Sequence, residues 1–191
     1  MIVSHTAHEP NPPPDPGDDI GRLFELHAGE LHRYLARRAG AAADDLVGDT
    51  FVAALRGRGA FDAQRGTPRA WLYGIATNLA NNHVRRRARE VAALGRMAGA
   101  EPADGPENQV VDRMDARLRA AQLGRAIAAL PDADRDVLLL SSWSGLTQQE
   151  IADALGIPAG TVRSRLHRVR RQLRSEAPGV IVEKEDSYVD R

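Results

Sequence analysis

The chain has 191 residues, no cysteine, and 26 basic residues balanced by 26 acidic ones. The missing cysteines exclude disulfides, thiolate metal sites and cysteine catalysis, and a 42% hydrophobic content at this length suits one medium domain or two small ones. No run of about twenty apolar residues is available to span a bilayer, and Met1 to Asp19 is rich in Pro and Asp rather than basic and apolar. Neither membrane insertion nor a secretory signal is expected, and the chain is expected to be cytoplasmic.

The balanced charge is unevenly spread. Met1 to Ile20 carries Glu9, Asp15, Asp18 and Asp19 and no Lys or Arg, whereas Glu176 to Arg191 carries five acids against Lys184 and Arg191. Residues 1–18 and 176–191 therefore read as acidic, disordered tails, and removing them leaves a positively charged body. Only Lys184 is a lysine, a bias that fits a GC-rich genome and weakens any argument from arginine number alone.

Between the tails, Ile20, Leu23, Phe24, Leu31, Tyr34 and Leu35 predict an amphipathic helix ending near Arg38 and Gly40. A second helix follows Ala43, capped by Asp44 or Asp45, with Leu46, Val47, Phe51, Ala54 and Leu55 inward. After a polar loop from Arg56 to Thr67, Pro68 opens a third helix through Trp71, Leu72, Ile75, Ala76, Leu79 and Val84 to Arg85-Arg86-Arg87-Ala88-Arg89. Residues 96–110, with Gly99, Pro102, Gly105 and Pro106, read as a flexible linker.

Beyond it, Val111, Met114, Leu118 and Ile127 predict a helix ending at Leu130-Pro131, and Asp132 is placed to cap the next, which carries Val137, Leu138 and Trp143. Thr147 and Glu150 then form a capping box ahead of Ile151, Ala152 and Leu155, with Gly156 where a left-handed cap belongs. From about Ala159 a last helix sets Val162, Leu166, Val169 and Leu173 on one face and Arg163, Ser164, His167, Arg168 and Arg171 on the other. Strand-like alternation is nearly absent, so the expected fold is all-α: two small helical domains, residues 19–95 and 111–175, the second a helix-turn-helix.

Two constellations carry the chemistry. Residues 158–174 contain Arg163, Arg165, Arg168, Arg170, Arg171 and Arg174 and no Asp or Glu, so no i,i+4 ion pair supports that helix and six unpaired guanidinium groups are expected to meet DNA phosphates and guanine edges. The plainer alternative is a solvated basic face. On the third helix Trp71, Tyr73, Asn78, Asn81, Asn82 and His83 precede four arginines, a mixture of rings, amides and charge that suits unpaired bases. There the alternative is that Trp71 and Leu72 are core, the asparagines face water, and the arginines answer the helix dipole. No HExxH, Gly-rich phosphate loop or nucleophile motif appears, so no enzyme activity and no metal or cofactor is expected.

The segments 44–51 (DDLVGDTF), 68–80 (PRAWLYGIATNLA), Leu130-Pro131 and 150–174, in this order, closely resemble a bacterial RNA polymerase sigma factor of the extracytoplasmic-function (ECF) group. The resemblance covers about residues 20–175 and implies two helical domains, regions 2 and 4, that bind core RNA polymerase and promoter DNA. It places Asp45, Asp49, Thr50 and Phe51 on the polymerase-docking helix, where Phe51 is either core or interface. It assigns the loop Arg56 to Thr67, with Phe61 and Asp62 as candidates, to capture of a flipped minus-10 base, and Asn78 to strand separation. Trp71, Asn82, Arg85 and Arg86 complete the minus-10 set, and Arg163, Ser164, His167, Arg168 and Arg171 form the minus-35 set. An anti-sigma factor is a further implied partner. The rival readings are a stand-alone helix-turn-helix regulator and a sigma mimic that binds an anti-sigma factor.

Overall fold

A computed structural model describes residues 16–98 and 111–176, which contain helices and no strand. The helices are α1 (Pro16–Ala39), α2 (Ala43–Gly57), α3 (Pro68–Ala98), α4 (Val111–Ala129), α5 (Asp132–Trp143), α6 (Gln148–Leu155) and α7 (Ala159–Glu176). The expected tails and linker lie outside the described residues except at their edges: α1 starts at Pro16, and α3 runs on to Ala98, into the segment expected as linker. No described helix is long and apolar enough to cross a membrane.

Helices α1, α2 and α3 pack around Leu31, Tyr34, Leu35, Leu46, Val47, Phe51, Ala54, Leu72 and Ala76, the residues that helical periodicity places inward. The Tyr34 hydroxyl shares a 2.9 Å hydrogen bond with Thr77 Oγ1, and its ring meets Tyr73 edge-on at 5.3 Å. Burial pushes the Tyr73 phenol up to about 12, so it stays protonated. Leu55, expected inward, is 41% exposed, because it falls at the edge of the stripe where α2 turns toward water. Val84 and Leu118 are likewise exposed, since nothing described packs over those turns.

The expected aspartate caps are not formed. The residue before α2 is Ala42 and makes no side-chain bond; Asp44 and Asp45 lie inside the first turn, where a carboxylate still favours the positive helix end. Pro131 precedes α5, and Asp132 accepts from Arg135 Nη1 at 3.0 Å instead. Arg135 in turn donates to the carbonyls of Ile127, Ala128 and Leu130, which closes the C-terminal end of α4. The capping box of α6 is formed as read: Glu150 N–H donates to Thr147 Oγ1 at 3.2 Å, and Thr147 N–H to Glu150 Oε2 at 2.9 Å. Gly156 ends α6 at φ 63°, a left-handed conformation that favours glycine.

Val162, Leu166, Val169 and Leu173 are all at most 3% exposed. Val169 and Leu173 close on Ala126 and Leu130 of the α4 segment, whereas Val162 and Leu166 join a core continuous with that of α1–α3. The two helical units thus share buried surface, chiefly where α3 lies against α6.

Candidate nucleic-acid interface

Helix α7 presents the first surface. Its buried stripe leaves Arg163, Ser164, His167, Arg168, Arg170 and Arg171 exposed along the opposite side. A helix that hides one face this completely holds the other at a fixed angle, as groove insertion demands. Ser164 donates to its own helix at the Thr161 carbonyl (3.0 Å), a bond that a base or phosphate can replace. Among the described residues, Arg163 and Arg171 make no hydrogen bond or ion pair.

The expectation of six unpaired guanidinium groups does not hold. Arg168 grips the buried carboxylate of Asp134 on α5, Nε at 3.0 Å and Nη2 at 2.5 and 2.7 Å, and Arg165 Nε lies 3.8 Å from the same group. This bonding raises the Arg168 pKa further. One edge of the Arg168 guanidinium, Nε with Nη2, is therefore occupied, and the end formed by Nη1 and the second Nη2 N–H is left for DNA. Asp134 lies 34 residues away in the chain, and its pairing has no signature within α7.

The residues expected to meet the minus-10 element separate into two places. Phe61, Asp62, Trp71 and Asn78 line one concavity of about 750 Å³, with Phe61 and Trp71 ring centroids 5.2 Å apart. Trp71 is half-buried, so both readings of it apply: its inner edge packs on the core and its outer edge faces the concavity. The Asp62 carboxylate accepts from Gln64 N–H at 2.9 Å and so shapes the turn of the loop. The opposite wall is Ala152, Asp153, Ala154, Gly156, Ile157 and Pro158, the turn of the helix-turn-helix.

Asn82, Arg85 and Arg86 line a different groove, together with Asp45 and Asp49 of α2. Residues read separately as DNA-binding and polymerase-binding thus face one another across it. Thr50 and Phe51 cannot serve a docking partner. Thr50 is fully buried with its hydroxyl donating to the Leu46 carbonyl at 2.6 Å, and Phe51 is 7% exposed against the Phe24 ring at 4.9 Å. Phe51 is core. The outward side of α2 is instead Asp45, Gly48, Asp49, Val52 and Leu55, of which Val52 and Leu55 are apolar and more than 40% exposed. Their spacing, with Val52 three and four residues after Asp49 and Gly48 and Leu55 three after Val52, was the available signal. Among the described residues, no cluster of three His, Asp or Glu could hold a metal ion.

Comparisons with known proteins identify the two helical units. Residues 23–90 match the family model described as Sigma-70 region 2, and residues 120–173 match Sigma-70, region 4. The ECF RNA polymerase sigma factor SigE of Mycolicibacterium smegmatis is 38% identical over 155 residues, covering 80% of this chain and 59% of that protein. SigL of Mycobacterium tuberculosis, also an ECF RNA polymerase sigma factor, is 34% identical over 80% of this chain and 85% of its own length. Among solved structures, CnrH in complex with the cytosolic domain of CnrY superposes with a TM-score of 0.57 at 26% identity, covering 83% of this chain and 87% of that one. With α1–α3 corresponding to region 2, α4–α7 to region 4, and relatives matched over most of their length, the chain belongs to the ECF group of RNA polymerase sigma factors.

Proposed function

We propose that this chain joins core RNA polymerase through the outward face of α2, reads the minus-35 element with α7, and takes up the opened minus-10 strand at the concavity of Phe61, Trp71 and Asn78. The observation that carries this is the complete division of α7, with four apolar residues buried and Arg163, Ser164, His167 and Arg171 outward. Such a helix is built to be read against a groove, and its arginine forks suit guanine and phosphate.

On the other surface, an aromatic pair with a neighbouring amide suits stacking and edge recognition of a base taken out of the duplex. The groove between α2 and α3 has Asp45 and Asp49 on one wall and Arg85 and Arg86 on the other, a division of charge that supports docking of polymerase on the acidic side and of strand phosphates on the basic side. Each contact set is weak alone; polymerase fixes both at one spacing, and the second contact becomes effectively intramolecular. The work is positional rather than catalytic, and it takes place in the cytoplasm with the polymerase. A protein that masks these surfaces is the expected negative regulator, as CnrH was solved bound to the cytosolic domain of CnrY.

Run-off transcription by core polymerase on a promoter pool tests the reading. Discrete starts that require the chain support it. Specific duplex binding without core, and no initiation, would replace it with a stand-alone helix-turn-helix regulator; failure of both would favour a mimic that occupies an anti-sigma factor.

A further inference from the structure

The carboxylate of Asp134 is buried in the first turn of α5, with its side chain 4% exposed. Taking a carboxylate out of water is costly unless charge and hydrogen bonds replace the lost hydration. Both come from α7, which packs against α5. Arg168 donates to Asp134 from Nε and Nη2, and Arg165 Nε lies 3.8 Å away while its Nη1 donates to the neighbouring Ala133 carbonyl at 3.4 Å.

The two arginines end differently. Arg165 is 25% exposed and turned toward α5, whereas Arg168 remains 57% exposed although it is held. The hold takes one edge of the Arg168 guanidinium. Its outer end, the N–H groups of Nη1 and the second N–H of Nη2, is another parallel pair of donors, which matches the O6 and N7 acceptors of a guanine.

An arginine with no partner samples many rotamers, pays entropy when DNA orders it, and moves to whichever acceptor is offered. Residues 158–174 contain no Asp or Glu, so a carboxylate that fixes an arginine there has to come from another helix. Asp134 supplies it to Arg168, whereas Arg163 and Arg171 have no such partner among the described residues.

We propose that Asp134 is a positioning residue for promoter recognition: by holding Arg168 from behind, it aims the outer fork at one base pair and makes α7 demand a guanine there. Buried as it is, Asp134 meets no DNA itself and acts only through Arg168. This rests on the assignment of α7 to the minus-35 element.

The test is run-off transcription by core polymerase with the full-length chain on promoters randomised across the minus-35 element, the yield of each template being read by sequencing. Arg168→Ala identifies the position that Arg168 reads, where the preference for guanine should fall about tenfold. Asp134→Asn keeps the side-chain volume but replaces an acceptor with a donor, which breaks the hold. It should relax the same position to a similar extent and leave the preferences at other positions unchanged. Asp134→Leu, which removes the polar group altogether, should do the same. Asp134→Asn combined with Arg168→Ala should relax that position no further than Arg168→Ala alone.

A merely structural Asp134 would lower the yield from all templates equally and change no preference. That result, loss of helix content by circular dichroism in both Asp134 variants, or wild-type preference at the Arg168 position in either of them, overturns the positioning role. If Arg168→Ala flattens the salt dependence of duplex binding yet relaxes no position, the outer fork grips phosphate and the proposal is overturned at that step. If the wild-type chain itself selects no minus-35 sequence, the assignment of α7 falls first and the positioning role falls with it.

Discussion

The two surfaces proposed to meet nucleic acid are built differently. The surface proposed to read the minus-35 element is one helix: α7 buries Val162, Leu166, Val169 and Leu173, and its basic side follows from geometry with no further information. The concavity proposed for the minus-10 strand is assembled from a loop, the middle of α3 and the turn after α6. A surface carried by one regular element is legible in its sequence period. A surface assembled from distant segments is decided by packing.

The largest effect should come from the shared core. Leu166→Ala removes a buried side chain between α7 and the rest of the molecule and should cost about 2–5 kcal/mol, measured by denaturant unfolding. If α7 loses stability while α1–α3 keep theirs, the two surfaces rest on separable cores; a single cooperative loss shows that the two units unfold as one.

Smaller changes separate the surfaces by function. Phe61→Ala should weaken binding of a single-stranded minus-10 oligonucleotide to the holoenzyme by about 1–3 kcal/mol, the range for loss of one stacked base, and leave duplex minus-35 binding unchanged. Arg163→Ala should do the reverse, weakening duplex binding by about 1–3 kcal/mol if it reads a base. Arg168→Ala should differ from Arg163→Ala in also lowering thermal stability, because it leaves the buried Asp134 carboxylate with only Arg165 near it. Equal behaviour of the two variants would remove the distinction between a reading arginine and a bracing one.

Thr147→Ala should cost about 1 kcal/mol through loss of the capping box, read as a lower melting temperature. The smallest effect concerns pH. Burial raises the Glu30 pKa, but hydrogen bonds from Arg69 and His27 and their charges outweigh it and hold the group below its usual 4.5. Its contribution is therefore present above about pH 4.5 and fades as pH falls through the lower folded value. Melting temperature should fall less steeply on acidification for Glu30→Gln than for wild type, and parallel curves would remove Glu30 from the account.

Legibility followed the range of each interaction. The capping box, the Gly156 turn and the two-faced α7 depend on residues a few positions apart, and each was readable in the sequence. The aspartate caps failed because α2 and α5 begin a residue or more earlier than the carboxylates suggest, and those groups instead fill the first turn or hold Arg135. Thr50 and Phe51 carried the docking motif, yet burial reserves them for the core and hands the outward face to Val52 and Leu55. Their motif position marked the helix without marking its side.

Sequence alone determined that the chain is helical, that it ends in a helix-turn-helix, and that its motifs follow the order of a sigma factor, because helical period, capping chemistry and charge act over a few residues. Only the tertiary structure decided which arginines are paired with carboxylates and which residues share a concavity. Arg168 meets Asp134 across 34 residues and Arg38 meets Asp136 across 98, and the glycine that lets α6 approach α3 looks in the sequence like any other small residue. Pairings at that separation depend on how whole helices pack, and helical period records only the face each helix turns inward.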